Sequence, residues 1–362
     1  MVQVSDQQPA PSPDFCALIP GVTGTVGRAL ARTLAGLPGW RVIGLARRAP
    51  AQSPGYPVLA ADLTDPALLK AYGPALAPVT HILYCARAAH VAAVKEPIED
   101  NLAMLRNVVE AVEPHAPGLM HVHIVQGSKV YGSDLGAYKT PAKESDPRVT
   151  EHNWYYAQED YLAARSQSAR WDWSASRPHG VVDPEPGVAR SMPLMMGAYA
   201  AIERELGRPL CFPGTERSFH ALYQSVDATL LARAIAWITT QPQCANQAFN
   251  VTNGDFIRWE NLWPQLAALY GMSVGPVETK RLVQYMADKA SVWAGIAARH
   301  GLRNADFAQA GVWPYADFNW QREHDLMSDT GKLRRSGFAE SMDTEAMFLN
   351  CIWRLRAGRW LP

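Results

Sequence analysis

Residues 21–27 read Gly-Val-Thr-Gly-Thr-Val-Gly, and their setting constrains the fold more than any other feature of the chain. The apolar run Phe15–Pro20 leads into them, and a stretch with helical periodicity follows to about Leu34, with Gly36 as a stop signal. A turn joining a strand to a helix in this way must reverse sharply, admit phosphate oxygens to bare backbone and hold the helix close to the sheet. Each task suits a residue without a Cβ. The start of the helix adds free N–H groups and a partial positive charge. Gly21, Thr23, Gly24, Thr25, Val26 and Gly27 are therefore the expected cradle for the pyrophosphate of a dinucleotide. A glycine-rich turn with no ligand is the plainer alternative.

The rest of the first half alternates β-like runs with helical stretches, the pattern of a parallel sheet with crossover helices. Strands are expected at 41–46, ending near Asp62, at 81–86, at 121–127 and at 172–178, with a long helix from Ile98 to Val112. Methionine- and tryptophan-rich helical segments at 191–206 and 258–271 mark the second half, and residues 247–255 read as one more strand rejoining the sheet. The expected class is α/β: a Rossmann-type doubly wound parallel sheet with a smaller, interleaved, mostly helical cap over the substrate. Residues 1–14 read as a disordered tail, 15–185 as the nucleotide-binding domain and 186–362 as the cap, with about 215–256 returning to the sheet.

Composition narrows the partners. Lys plus Arg and Asp plus Glu number 34 each, so no charge excess points to nucleic acid or an anionic membrane. The five cysteines are scattered, without C-x-x-C spacing, which suits reduced thiols in a cytoplasmic protein. No leader or membrane-length apolar run is evident, and the ten histidines show no metal-binding spacing, so no metal is expected. The expected partner is a small hydrophobic carbonyl or enone substrate, with a homodimer allowed.

The second strand ends Ala46-Arg47-Arg48. An NAD site places a carboxylate here for the ribose hydroxyl, whereas two guanidinium groups suit the 2′-phosphate of NADPH. Adjacent arginines on a solvated loop are the alternative. Asp62 suits an adenine contact or the cap of a helix.

Short-chain dehydrogenases, whose three-and-three glycine spacing this turn shares, carry Tyr-x-x-x-Lys on one helix, an ammonium one turn from a phenol. Four residues beyond Tyr155, Tyr156 and Tyr161 stand Glu159, Asp160 and Arg165 instead. A tyrosine with no cation nearby keeps a pKa near ~10 and is a weak acid–base group at neutral pH. Either the chain is not catalytic, or a lysine arrives from elsewhere. Lys129, just past the fifth strand, is placed to do so.

With Gly127-x-Lys129 and Asn153-Trp154-Tyr155-Tyr156-x-Gln158-Glu159-Asp160, the chain resembles the progesterone 5β-reductase and iridoid synthase group of atypical extended short-chain dehydrogenases. Arg177-Pro178, Phe212-Pro213-Gly214, Ala248-Phe249-Asn250 and the closing Trp360-Leu361-Pro362 match as well. The resemblance implies NADPH-dependent hydride transfer to the β-carbon of an α,β-unsaturated carbonyl. It implies that Tyr156, acting with Lys129, stabilises the enolate oxygen, and that Tyr155 is structural. Both Lys129 and Tyr156 would also hold the cofactor, with further contacts at Leu63, Gln126, Val181, Ser191 and Met192. The methionine stripe beginning at Met192 reads equally as pocket lining or plain core.

Three segments depart from the group's pattern. Trp154 replaces a phenylalanine, Gly132-Ser133-Asp134-Leu135 lacks the aromatic of a Gly-Pro-Phe turn, and Gly311-Val312-Trp313-Pro314-Tyr315 replaces Gly-Val-Trp-Trp-Phe. These lie where the resemblance puts the pocket wall and lid, so steroid or iridoid specificity does not carry over. The rival readings are a carbonyl reductase or sugar-nucleotide epimerase of the extended short-chain type, and a non-catalytic NADP(H)-sensing protein.

Overall fold

A computed structural model describes residues 14–50, 52–88, 96–150, 153–183, 185 and 190–362. The expected tail, apart from Asp14, lies outside the described residues. Numbering the strands of the main sheet and the helices of eight residues or more, the first half holds β1 (Phe15–Pro20), α1 (Thr25–Ala35), β2 (Trp40–Ala46), β3 (Val58–Ala60), β4 (His81–Tyr84), α2 (Ile98–Val112), β5 (His121–Val125), α3 (Trp154–Ser166) and β6 (Asp172–Pro178). After α4 (Met192–Glu205) and α5 (Ala228–Ile238), the chain returns to the sheet as β7 (Gln247–Val251). All seven strands are parallel, in the order β7-β6-β5-β4-β1-β2-β3.

The strands form because nearly continuous apolar runs can be buried on both faces. Successive residues of β1 point to opposite sides: Ala17 and Ile19 join Leu30 and Leu34 of α1 and Leu230 of α5, while Leu18 joins Leu105, Val108 and Val112 of α2. Asp62 sets the end of β3, which stops at Ala60, short of the expected boundary. Its carboxylate accepts the N–H of Thr64, so the chain turns away from the ladder.

β5 and β6 are less apolar. His121 and Ser174, His123 and Ser174, and His123 and Ser176 are hydrogen-bonded at 2.7, 2.7 and 3.0 Å across the pair. Burial lowers the pKa of His123 to about 3 and that of nearby His81 to about 4.

The cap is assembled around aromatic rings. α6 (Trp259–Leu269), α7 (Ala290–His300), α8 (Trp313–Trp320) and α9 (Thr344–Ala357) pack with α4. Trp263 meets Phe212 edge-on at 5.0 Å and Trp320 at 5.6 Å. Met192, Met195 and Met196 are buried in this same core. Among the described residues no helix is long and apolar enough to cross a membrane.

Candidate active site

Ligands of open parallel sheets bind beyond the carboxyl ends of the strands, where the Gly21–Gly27 turn, Arg47 and Lys129 lie. Gly21 has φ +82°, and a Cβ on it would lie 2.8 Å from the Ala86 nitrogen just past β4. A Cβ on Gly27 would lie 2.3 Å from the Gly21 carbonyl oxygen, so both positions require glycine. Gly24 stands at the N-cap of α1 with no side-chain cap, which leaves first-turn N–H groups for an incoming anion. Thr23 and Gly24 are exposed, and Thr25 and Val26 are half-buried beside them. This cradle fits a dinucleotide pyrophosphate.

Arg47 and Arg48 are exposed at the carboxyl end of β2. Hydrogen bonds from the backbone and hydroxyl of Thr64 lower the pKa of Asp62, and the charge of Arg47 adds to the effect. Arg47 and Asp62 are therefore near neighbours at the end of the site where adenosine would lie. Leu63 behaves otherwise than expected. Its side chain is buried in the core and its carbonyl accepts from Asn107 at 2.9 Å, so the residue serves packing.

Lys129 occupies a 3₁₀ turn, Ser128–Tyr131, just past β5. Its ammonium lies 3.2 Å from Glu96 Oε2 and 3.7 Å from Asp134 Oδ2. Glu96 also accepts from Arg87 at 2.9 Å and from the indole N–H of Trp154 at 3.0 Å. Burial raises the pKa of the Glu96 carboxyl, but Lys129, the Trp154 N–H and Arg87 together take it below its ordinary value. Trp154, a departure from the family pattern, thus holds the carboxylate that holds the lysine.

Helix α3 begins beside this group. Asn153 caps it by accepting from the Tyr155 N–H at 3.0 Å, and donates from its amide to the Lys129 carbonyl at 2.8 Å. Tyr155 packs against Trp154 with ring centroids 4.0 Å apart. A Cβ on Gly127 would stand 3.3 Å from the Tyr155 hydroxyl, so the phenol reaches the end of β5. Burial drives its pKa well above the ordinary value, and Glu96 and Asp134, the two carboxylates flanking Lys129, raise it further.

The expectation that Tyr156 faces Lys129 is corrected. One residue further along a helix a side chain points about 100° away. The Tyr156 hydroxyl donates to the Val130 carbonyl at 2.5 Å and accepts from the Val149 N–H at 3.0 Å, with Arg148 over its ring. Its polar atom is committed to backbone, and it is Tyr155, read as structural, that shares the surroundings of Lys129.

The position one turn beyond Tyr155 is equally telling. Glu159 accepts from Arg177 of β6 at 2.9 Å, from Gln126 at 3.0 Å and from Arg148 at 3.2 Å. Arg177 also donates to the side-chain oxygen of Gln126 and to the Tyr131 hydroxyl, which donates to Asn250 of β7 at 2.6 Å. Gln126, expected at the cofactor, is a buried strut in this network. Ser191 caps α4 by accepting from the Leu194 N–H, Met192 is core, and Val181 lies in a short pairing with Val226. The sequence carried a signal for the network in the matched residues Glu159, Arg177 and Asn250. Nothing in it marked Glu96, which belongs to no motif.

Comparison with known proteins bears on the family. A family model described as a PRISE-like Rossmann-fold domain matches residues 60–362. The chain is 33% identical to an (S)-8-oxocitronellyl enol synthase of Nepeta cataria, over 96% of this chain and 91% of that protein. It is 31% identical to a 3-oxo-Delta(4,5)-steroid 5-beta-reductase of Arabidopsis thaliana, over 99% and 96%. Among solved structures, RMD from Pseudomonas aeruginosa complexed with NADPH superposes with a TM-score of 0.66 at 15% identity, covering 96% of this chain and 99% of that one. At that identity the likeness shows the fold alone. On the family match and the near-complete overlap with both relatives, the chain belongs to the PRISE-like family of Rossmann-fold proteins, the group of progesterone 5β-reductase and iridoid synthase.

Proposed function

We propose that this protein is an NADPH-dependent enone reductase in which Tyr155 and Lys129 act on the carbonyl oxygen of an α,β-unsaturated substrate. The observation that carries the reading is that separate elements bring the Tyr155 hydroxyl and Lys129 to the end of β5, where the carboxylates that hold the ammonium also act on the phenol. The relatives' names supply the class of reaction: an enol synthase and a steroid 5-beta-reductase.

The glycine turn would hold the pyrophosphate, and Arg47 and Arg48 the 2′-phosphate, which sets the preference for NADPH. When bound, NADPH supplies a hydride from its nicotinamide to the β-carbon of the substrate. Tyr155, its phenol raised by burial, keeps its proton at neutral pH and donates a hydrogen bond as negative charge grows on the carbonyl oxygen. Lys129 adds its charge to that field, and Glu96 fixes where the ammonium stands. A single donor of this kind is typically worth ~3–4 kcal/mol in the transition state. The Glu159–Arg177 pair anchors α3 to the sheet, so the start of the helix, and with it Tyr155, is held in register with β5.

The direct test follows NADPH absorbance against 2-cyclohexen-1-one, progesterone and 8-oxogeranial, with product analysis by mass spectrometry and NMR. A saturated ketone or aldehyde is expected. An allylic alcohol would make the protein a carbonyl reductase, and NADPH binding without oxidation of any substrate would make it a sensor.

A further inference from the structure

Arg322 follows α8 and lines a narrow cavity with Tyr223, Trp259, Asn319 and His324. Its Nη1 is sealed from solvent without a hydrogen-bond partner, and among the described residues no carboxylate stands within ion-pair distance of it. The guanidinium rests against the ring of Phe318 at 4.8 Å. Burial pulls its pKa below the ordinary value, yet an arginine stays charged under all accessible conditions. The residue is half-buried, and its charge lowers the pKa values of the phenols of Tyr138, Tyr223 and Tyr315 against the effect of burial.

The cavity is linked to the loop beside Lys129. Asp134, 3.7 Å from the Lys129 ammonium, acts on Arg322 electrostatically without pairing with it. Arg322 also acts on His179, the first residue past β6, whose Nδ1 is itself buried without a partner. His324 is linked at 3.3 Å to the carbonyl of Ser133, in the loop that carries Asp134. Asp134 and Tyr315 belong to two of the segments that depart from the family pattern, and both border this arginine. Where the resemblance puts the pocket wall and lid, this chain brings a half-buried cation.

We infer that the enone this protein reduces carries a carboxylate, and that Arg322 receives it from the cap side while the carbonyl lies at Tyr155 and Lys129. The inference rests on the enone reading and narrows it to anionic substrates. A guanidinium donates two parallel hydrogen bonds to a carboxylate, and Nη1 of Arg322 has no partner of its own. Arg322 would fix which end of the substrate enters first.

The test uses methyl-ketone enones of six to ten carbons with a terminal carboxylate, each against its methyl ester, with 2-cyclohexen-1-one as the neutral control. At the best chain length kcat/KM for the acid should exceed that for the ester by on the order of tenfold or more, chiefly through KM. Arg322→Met should bring the ratio close to one, and Arg322→Lys should restore part of it. Circular dichroism and NADPH affinity report whether each variant is folded, and the acid–ester comparison on the unaltered protein needs no variant. Turnover of 2-cyclohexen-1-one with no preference for any acid would overturn the inference and leave the enone reading intact. If no enone is reduced, the enone reading fails. Calorimetry of the saturated keto acids on the NADP⁺-loaded protein then decides the role of Arg322. Binding at least about tenfold weaker in Arg322→Met supports the carboxylate site, and equal binding overturns it.

Discussion

Tyr155 and Tyr156 are neighbours in sequence and differ in every physical respect that matters to chemistry. The first has its hydroxyl near Gly127 among charged groups; the second has its hydroxyl tied to the backbone at Val130 and Val149. Tyr155→Phe should therefore lower kcat by about 10²–10³-fold while NADPH affinity, measured by fluorescence titration, stays within a few-fold. Tyr156→Phe leaves the buried Val130 carbonyl without its donor, so it should cost about 1–3 kcal/mol of stability, read from denaturant melts, and keep most of the turnover. The opposite pattern would return the catalytic role to Tyr156. Side chains one residue apart on a helix point about 100° apart, so only one of the two can face the lysine. Which one depends on the rotation of α3, and that is fixed by long-range partners: Asn153 on the Lys129 carbonyl and Glu159 on Arg177.

The elements themselves were largely legible. α2 runs from Ile98 to Val112 and β6 from Asp172 to Pro178 as their patterns predict, because each is a periodic segment closed by clear breaks. β3 was overextended since Asp62 turns the chain before the pattern ends. The β5–β6 pair shows what apolar patterning hides, a buried histidine–serine ladder between the strands. Its titration belongs to the sheet as a whole. His81 and His123 are held neutral in the folded protein, at about 4 and about 3, and take up protons near 6.5 when unfolded. Their contribution to stability is complete above pH 6.5 and is lost as pH falls through 4 towards 3. Denaturant melts between pH 8 and 4 should show stability falling below pH 6.5, with a slope from these two histidines approaching about 3 kcal/mol per pH unit. Constant stability from pH 7 to 5 would mean that the ladder binds protons without opening.

At the scale of the whole molecule, the site is a seam. Lys129 and Tyr155 come from the sheet layer, Arg322 from the cap, and Asp134 from the loop between them. A ligand that binds only the folded state stabilises it by mass action, about 2.7 kcal/mol at a hundred times its dissociation constant. NADPH should therefore raise Tm, measured by scanning fluorimetry, by more than NADH at the same concentration. Arg47→Ala combined with Arg48→Ala should erase the difference, and an unchanged difference would place the 2′-phosphate elsewhere. The glycine turn could be read from the sequence because it is built from consecutive residues. At the carbonyl end Lys129 could be named but not its partners, since Glu96 and Asp134 meet it only once the chain has folded.

The seventh strand gives the chain a schedule. Until β7 arrives, β6 is an open edge, and the leucines of α5 are needed to cover α1. Roughly seventy residues separate the end of β6 from the start of β7, on the order of 3–14 s of ribosomal elongation. For that interval the nascent nucleotide-binding layer exposes a row of unpaired backbone groups, the ready template for a second chain. Asp172 and Pro178, which begin and end β6, and the charge of Arg177 leave little of that edge fit for a stranger to extend. The placement of the last strand thus makes the birth of this protein a matter of timing, with α4 and α5 made between the two strands whose pairing closes the sheet and the rest of the cap made after them.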